Sequence, residues 1–264
     1  FSIIFALTAP FIWAYYARKL KEGIPLVKMS APIVVPLSIA TVFLAGGRAG
    51  ALAVCVALII FLGFGLNRYK LPIKAPQWGV LIVSIGLGTL GYALSRGWDS
   101  LSARLEIQPL TGDLTGGSGR LDIWQNALNM IPWDVMHPQF WLGLGPNAFR
   151  LFPEGSALHP HNAVIQLQLE IGFVGLLLSC LIACLLLLMM RRYAQGNIFG
   201  LAGLASLCAF FTMALLSKSI FDVEWLTVFS LVTLLSWRLG WSLGHTPQQG
   251  SVLNAASFIQ TPKV

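Results

Sequence analysis

Apolar residues fall along this chain in long blocks separated by short polar connections, and each block is close to the length needed to cross ~30 Å of hydrocarbon as a helix. Seven can be drawn: Phe1–Ala17, Ala31–Ala45, Ala49–Leu66, Trp78–Ser95, Ala163–Met190, Ile198–Ser217 and Trp225–Leu243. The pattern predicts an all-α, polytopic transmembrane bundle. One connection, residues 95–162, is much longer than the rest and carries a helical signal of its own. Leu121, Trp124, Ala127, Leu128 and Ile131 recur at helical spacing, with Ser118 placed to cap the helix, Asp122 in its first turn and Pro132 to end it. The expected organisation is spans over 1–94, a loop with an amphipathic helix over 95–162, spans over 163–243 and a tail over 244–264.

Composition agrees: 56% of residues are hydrophobic and 10% charged, which excludes an ordinary soluble domain. The chain opens at Phe1 inside an apolar block, without an initiator Met or a basic leader, so further N-terminal spans are expected before it. Alternate connections divide the charge. Arg18, Lys19, Lys21, Lys28, Arg68, Lys70, Lys74, Arg191, Arg192, Arg238 and Lys263 fall on one side with Glu22 as its one acid; Arg48, Arg96, Arg104, Arg120, Arg150 and Lys218 fall on the other with every remaining acid. The positive-inside rule makes the first side cytoplasmic and the long loop external. The net charge of +7 is then an orientation signal and a contact for anionic membrane lipid, and no nucleic-acid partner is expected.

Cys55, Cys180, Cys184 and Cys208 all lie in apolar blocks with no ligand-spaced histidine or carboxylate, so they read as packing residues, with no metal site and no cofactor. No phosphate-cradling glycine loop occurs. Trp133, Phe140 and Trp141 suit a membrane–water boundary, which would lay the long loop on the membrane.

Chemistry concentrates in Leu158–Gly172, LHPHNAVIQLQLEIG, at the head of a span. His161 can take a proton near neutral pH, or serve only as a hydrogen-bonded residue at a helix end. His159 reads as a turn residue before Pro160. Asn162 can cap the helix or orient a polar ligand; Gln166 is one turn further along the same face. Glu170 is an ionisable group within the span, either a functional carboxylate or the partner of a cation. Arg48 and Arg120 lie on the same predicted side as His161, where positive charge is disfavoured. Either can be a solvated residue or a fixed cation for an anionic ligand. Asp222 and Glu224 could approach the same cavity or, more simply, pair with Lys218 at the surface, and His137 and His245 read as ordinary polar residues.

These pieces stand in an order that resembles the O-antigen ligase and polymerase family of bacterial envelope glycan assembly. The chain has GGRAGA around Arg48, R-L-D-I-W at Arg120–Trp124, GLGPNAF at Gly143–Phe149, HNAVIQ at His161–Gln166 and EIGFVG at Glu170–Gly175. The resemblance covers roughly residues 30–190. Gly46-Gly47 stands where members have a serine-containing turn, and the Pro132–Pro138 link is longer than usual.

The resemblance implies metal-independent glycosyl transfer at the periplasmic face of the cytoplasmic (inner) membrane. The donor would be an undecaprenyl-diphosphate-linked glycan and the acceptor lipid A-core or a second glycan. His161 would be the catalytic base. Arg48 and Arg120 would hold the diphosphate, with Asn162, Gln166, Glu170 and His159 as weaker substrate contacts. A ligase delivering polysaccharide to lipid A-core is the first reading and a polymerase joining lipid-linked repeat units the second. An anion transporter of bicarbonate type is the third, because some proteins resembling this family are described as such carriers. A carrier has no evident need for a base beside two arginines, and the chain shows no internal repeat of broken spans.

Overall fold

The computed structural model describes residues 2–44, 48–69, 120–151 and 160–216, with Thr227, Ser230, Leu234 and Arg238. Among them every regular element is helical: α1 (Ser2–Lys21), α2 (Pro25–Leu44), α3 (Arg48–Tyr69), α4 (Arg120–Met130), α5 (Pro138–Leu142), a 3-10 turn (Ala148–Leu151), α6 (Ala163–Gly196) and α7 (Ile198–Leu216). By length and composition, three of these can cross a membrane: Ala49–Tyr69, Ala163–Gly196 and Ile198–Leu216. The blocks expected at Trp78–Ser95 and Trp225–Leu243 lie largely outside the described residues, as do most of the 95–162 loop and the 244–264 tail. α2 begins six residues before its apolar block. Pro25 sits at its first position, where proline's fixed φ starts a helix and its missing N–H is not needed.

α7 is the centre of the bundle. It packs against α1, α3 and α6, and Leu201, Ala202, Ala205 and Ala209 along it are completely buried. Its small residues let neighbouring backbones approach closely, the main source of helix association where lipid tails remove any hydrophobic gain. Polar side chains serve backbone needs inside this core. Pro10 removes an N–H from the middle of α1, and the buried Ser206 hydroxyl donates to the adjacent Leu7 carbonyl at 2.7 Å. The Trp13 indole donates to the Ser38 hydroxyl at 3.0 Å, and that hydroxyl donates to the Val35 carbonyl at 2.6 Å.

Basic residues tie the C-terminal ends of α1, α3 and α6 together. Lys21 donates to the Tyr69 carbonyl (2.6 Å), Arg68 to the Gln195 carbonyl (3.2 Å) and the Tyr69 hydroxyl to the Ala194 carbonyl (2.5 Å). Cations here meet the carbonyls that a helix end leaves unpaired and the negative end of its dipole. Glu22 is held at the same end by Lys19 (2.7 Å) and Arg18 (3.2 Å). The hydrogen bond from Lys19, followed by the charges of Lys19 and Arg18, keeps its carboxyl below the ordinary range. Asn197 closes α6 by donating its N–H to Tyr193 and opens α7 by accepting from Phe199. Because α3 and α6 finish together at this basic end, both start at the opposite end, which carries Arg48 and His161.

Candidate functional site

The far end is built on a break in α6. Gly172 has φ 70° and ψ −173°, inside what is otherwise a helix of 34 residues. The carbonyls just before the break are taken up by the GLG segment: Leu144 N–H donates to Leu169 (2.8 Å) and Gly145 N–H to Glu170 (3.1 Å). Non-helical backbone in a membrane protein needs such partners, because an unpaired carbonyl in hydrocarbon costs several kcal/mol.

Two glycines make the approach possible. A Cβ on Gly172 would lie 2.3 Å from the Trp141 carbonyl oxygen, and one on Gly143 would lie 2.4 Å from the Glu170 carbonyl carbon. Both also have positive φ. The buried Gln168 amide adds a side-chain tie by donating to the Phe140 carbonyl at 3.2 Å. Phe140 stacks on Phe173 and Trp141 meets the same ring edge-on, so α5 is fixed to both sides of the break.

The rest of GLGPNAF follows from turn geometry. Ala148 N–H donates to the Gly145 carbonyl across Pro146 and Asn147, and Asn147 has φ 61°. Proline then asparagine with positive φ is the residue order that a type II turn favours. The turn delivers Phe149 into a small core with Ala127, Ile131 and Leu169, edged by Ile123, Met130, Leu144 and Ile165. This second core joins α4, which begins at Arg120, to the first part of α6, which begins beside His161. The helix expected over Arg120–Ile131 is therefore present as α4, but of its expected apolar stripe Ala127 and Ile131 face α6, joined by Ile123 and Met130, whereas Leu128 is exposed. Its Ser118 cap lies outside the described residues.

His161 stands in the left-handed region at φ 55°. Buried Pro160 precedes it, and Asn162 follows as the N-cap of α6, accepting from Val164 N–H (2.9 Å) and Ile165 N–H (3.2 Å). The half-buried imidazole is thus held on a defined backbone at the mouth of the helix. Below it lies a buried polar row. Gln166 and Glu170 are each 3% exposed, and the Gln166 amide donates to the Glu170 carboxylate at 3.3 Å.

Arg48 is the first residue of α3 at the His161 end of the bundle, and Arg120 the first of α4. His159, Lys218, Asp222, Glu224 and His245 lie outside the described residues. His137 caps α5, its Nδ1 accepting from Gln139 N–H at 3.4 Å. Sequence reasoning passed over the clasp between Gly143 and Gly172 and the tie made by Gln168. Its one available signal was a glycine set inside an apolar run beside two glutamines and an acid.

The geometry agrees with the motifs. Each quoted segment from RLDIW onward is part of one small assembly on the head of α6. No curated protein matches the chain. The family model described as O-antigen ligase matches residues 33–180, more than half of the chain and the stretch that contains every quoted motif. The chain belongs to the O-antigen ligase family, a group of membrane proteins that ligate or polymerise lipid-linked glycans.

Proposed function

We propose that this protein is a glycosyltransferase of ligase type, taking a glycan from undecaprenyl diphosphate and delivering it to a lipid A-core hydroxyl at the periplasmic face of the inner membrane. The observation that carries the reading is His161, a non-glycine residue with φ 55° locked between a buried proline and a capping asparagine. Left-handed backbone costs a non-glycine residue on the order of 1 kcal/mol and gathers where side-chain placement matters.

His161 accepts the proton of the acceptor hydroxyl as its oxygen attacks the anomeric carbon. The bond from that carbon to the diphosphate oxygen breaks, and its electron pair stays on the phosphate. Arg48 and Arg120 meet the developing charge, for which a guanidinium's planar fork is well suited. The protonated imidazole returns its proton to water, and lipid diphosphate leaves. Their common end of the bundle supports pairing Arg48 with His161, and the second core supports adding Arg120.

The test is a lipopolysaccharide gel from a ligase-deficient bacterium expressing the full-length gene, with lipid-linked glycan probed in parallel. The expected result is a ladder that His161→Ala eliminates at unchanged protein level. Longer lipid-linked chains without a ladder would assign a polymerase. No change in either glycan pool with a matched donor would favour anion transport.

A further inference from the structure

The far end also carries an apolar surface that the transfer chemistry does not use. Met136 is 86% exposed and Leu142 69%, with Trp133, Val135 and Trp141 exposed beside them. Asp134, His137 and Gln139 are exposed between them, so the segment is amphipathic, and exposed apolar side chains grouped in this way mark a partner or a membrane interface. The indoles distinguish between these. Trp133 donates its ring N–H to the Leu128 carbonyl (3.0 Å) and Trp141 to the Val135 carbonyl (2.8 Å). With the donor satisfied internally, each ring can enter hydrocarbon without stranding a polar group.

The length of α6 supplies the depth. Its 34 residues reach about 51 Å, well beyond the ~30 Å of a bilayer's apolar core. The break divides it unequally. Phe173–Met190 spans about 27 Å, close to that thickness, and runs straight into Arg191 and Arg192. Leu177, Leu178, Leu181 and Ile182 beyond the break are exposed, whereas Gln166, Gln168 and Glu170 before it are buried. α5 is clasped at the break itself, with Trp141 against Phe173.

We propose that Trp133–Leu142 is a membrane wedge, seated among phospholipid acyl chains of the periplasmic leaflet, and that the Gly172 break lies at the hydrocarbon surface. Ala163–Ile171 then stands above the apolar core, and Asn162 is about 15 Å along the helix from the break. The headgroup layer on each side is about 5–7 Å thick. A lipid-anchored diphosphate occupies that layer, which puts the first sugar, rather than the phosphates, at the level of His161. The last step rests on the glycan-transfer reading; the wedge does not.

The experiment places single nitroxide labels at Met136, Leu142, Leu178 and Asn126 of the full-length protein in phospholipid nanodiscs, with the native cysteines replaced. Collisions with oxygen and with a water-soluble nickel chelate are compared. The expected result is an oxygen-to-nickel ratio at 136 and 142 that exceeds 126 several-fold and lies at or below that of 178, which is about 9 Å beyond the break. Ratios at 136 and 142 equal to 126 would place the segment in water, and low accessibility to both reagents would mean that protein covers it; either result overturns the proposal. The readout is independent of activity, so a failed glycan assay and a failed wedge are told apart.

Discussion

At the scale of single residues, the glycines make the sharpest predictions, because three of the four described with positive φ lie around the break in α6 and differ in their surroundings. Gly143 and Gly172 face backbone at 2.4 and 2.3 Å, whereas a Cβ on Gly145 would meet nothing within 4 Å. Gly145→Ala should therefore lower stability by about 1 kcal/mol through backbone strain alone. Gly143→Ala and Gly172→Ala add overpacking of about 1–3 kcal/mol and should also reduce glycan transfer, as detergent thermal melts and a glycan gel would reveal. Asn162 separates a cap from a ligand. Asn162→Ala should cost about 1 kcal/mol; Asn162→Ser and Asn162→Asp should regain that stability, and any activity still missing in them measures contact with sugar. The capping role of Asn162 was legible in the sequence because a cap before an apolar run is a local signal. The left-handed backbone at His161 was not, since nothing in the residue type requires it.

At the scale of elements, α4 depends on a core of very few side chains. Phe149 and Leu169 are buried in it, and truncating either leaves a hole that few neighbours can close. Phe149→Ala should cost about 3–5 kcal/mol locally and uncouple α4 from α6. Limited proteolysis should then cut near α4 while the α1–α3–α7 bundle stays resistant, and equal resistance throughout would show the two cores to be one unit. Long elements were legible because their apolar runs greatly exceed a turn: α7 begins where its block begins, and α3 differs only by its terminal turns. α5 was not. Five residues carry no period, and PQFWL reads as an interfacial aromatic cluster until the break in α6 gives it something to pack against. The break itself was hidden because an apolar run with two glycines scores like any other span, and only the backbone partners at Leu144 and Gly145 reveal it.

At the scale of the whole molecule, the two ends are held by different groups. The basic end is held by helix-terminal carbonyls and cations, so Tyr69→Phe should remove about 1 kcal/mol and lower the melting temperature while leaving transfer intact; lost transfer would show that the ends communicate. The placement of Arg48 and His161 at one end was legible from charge alternation alone, because positive-inside sorting and helix parity encode the same fact. The clasp between residues 143–145 and 170–172 has a consequence for exchange between relatives. Its halves are more than twenty residues apart in the chain, yet each supplies the shape and the hydrogen-bonding partners that the other lacks. A graft that brings one half without the glycine at its crossing point inherits a joint that cannot close, whereas one that brings both halves receives a working part; the boundaries of the clasp are set by contact and not by contiguity.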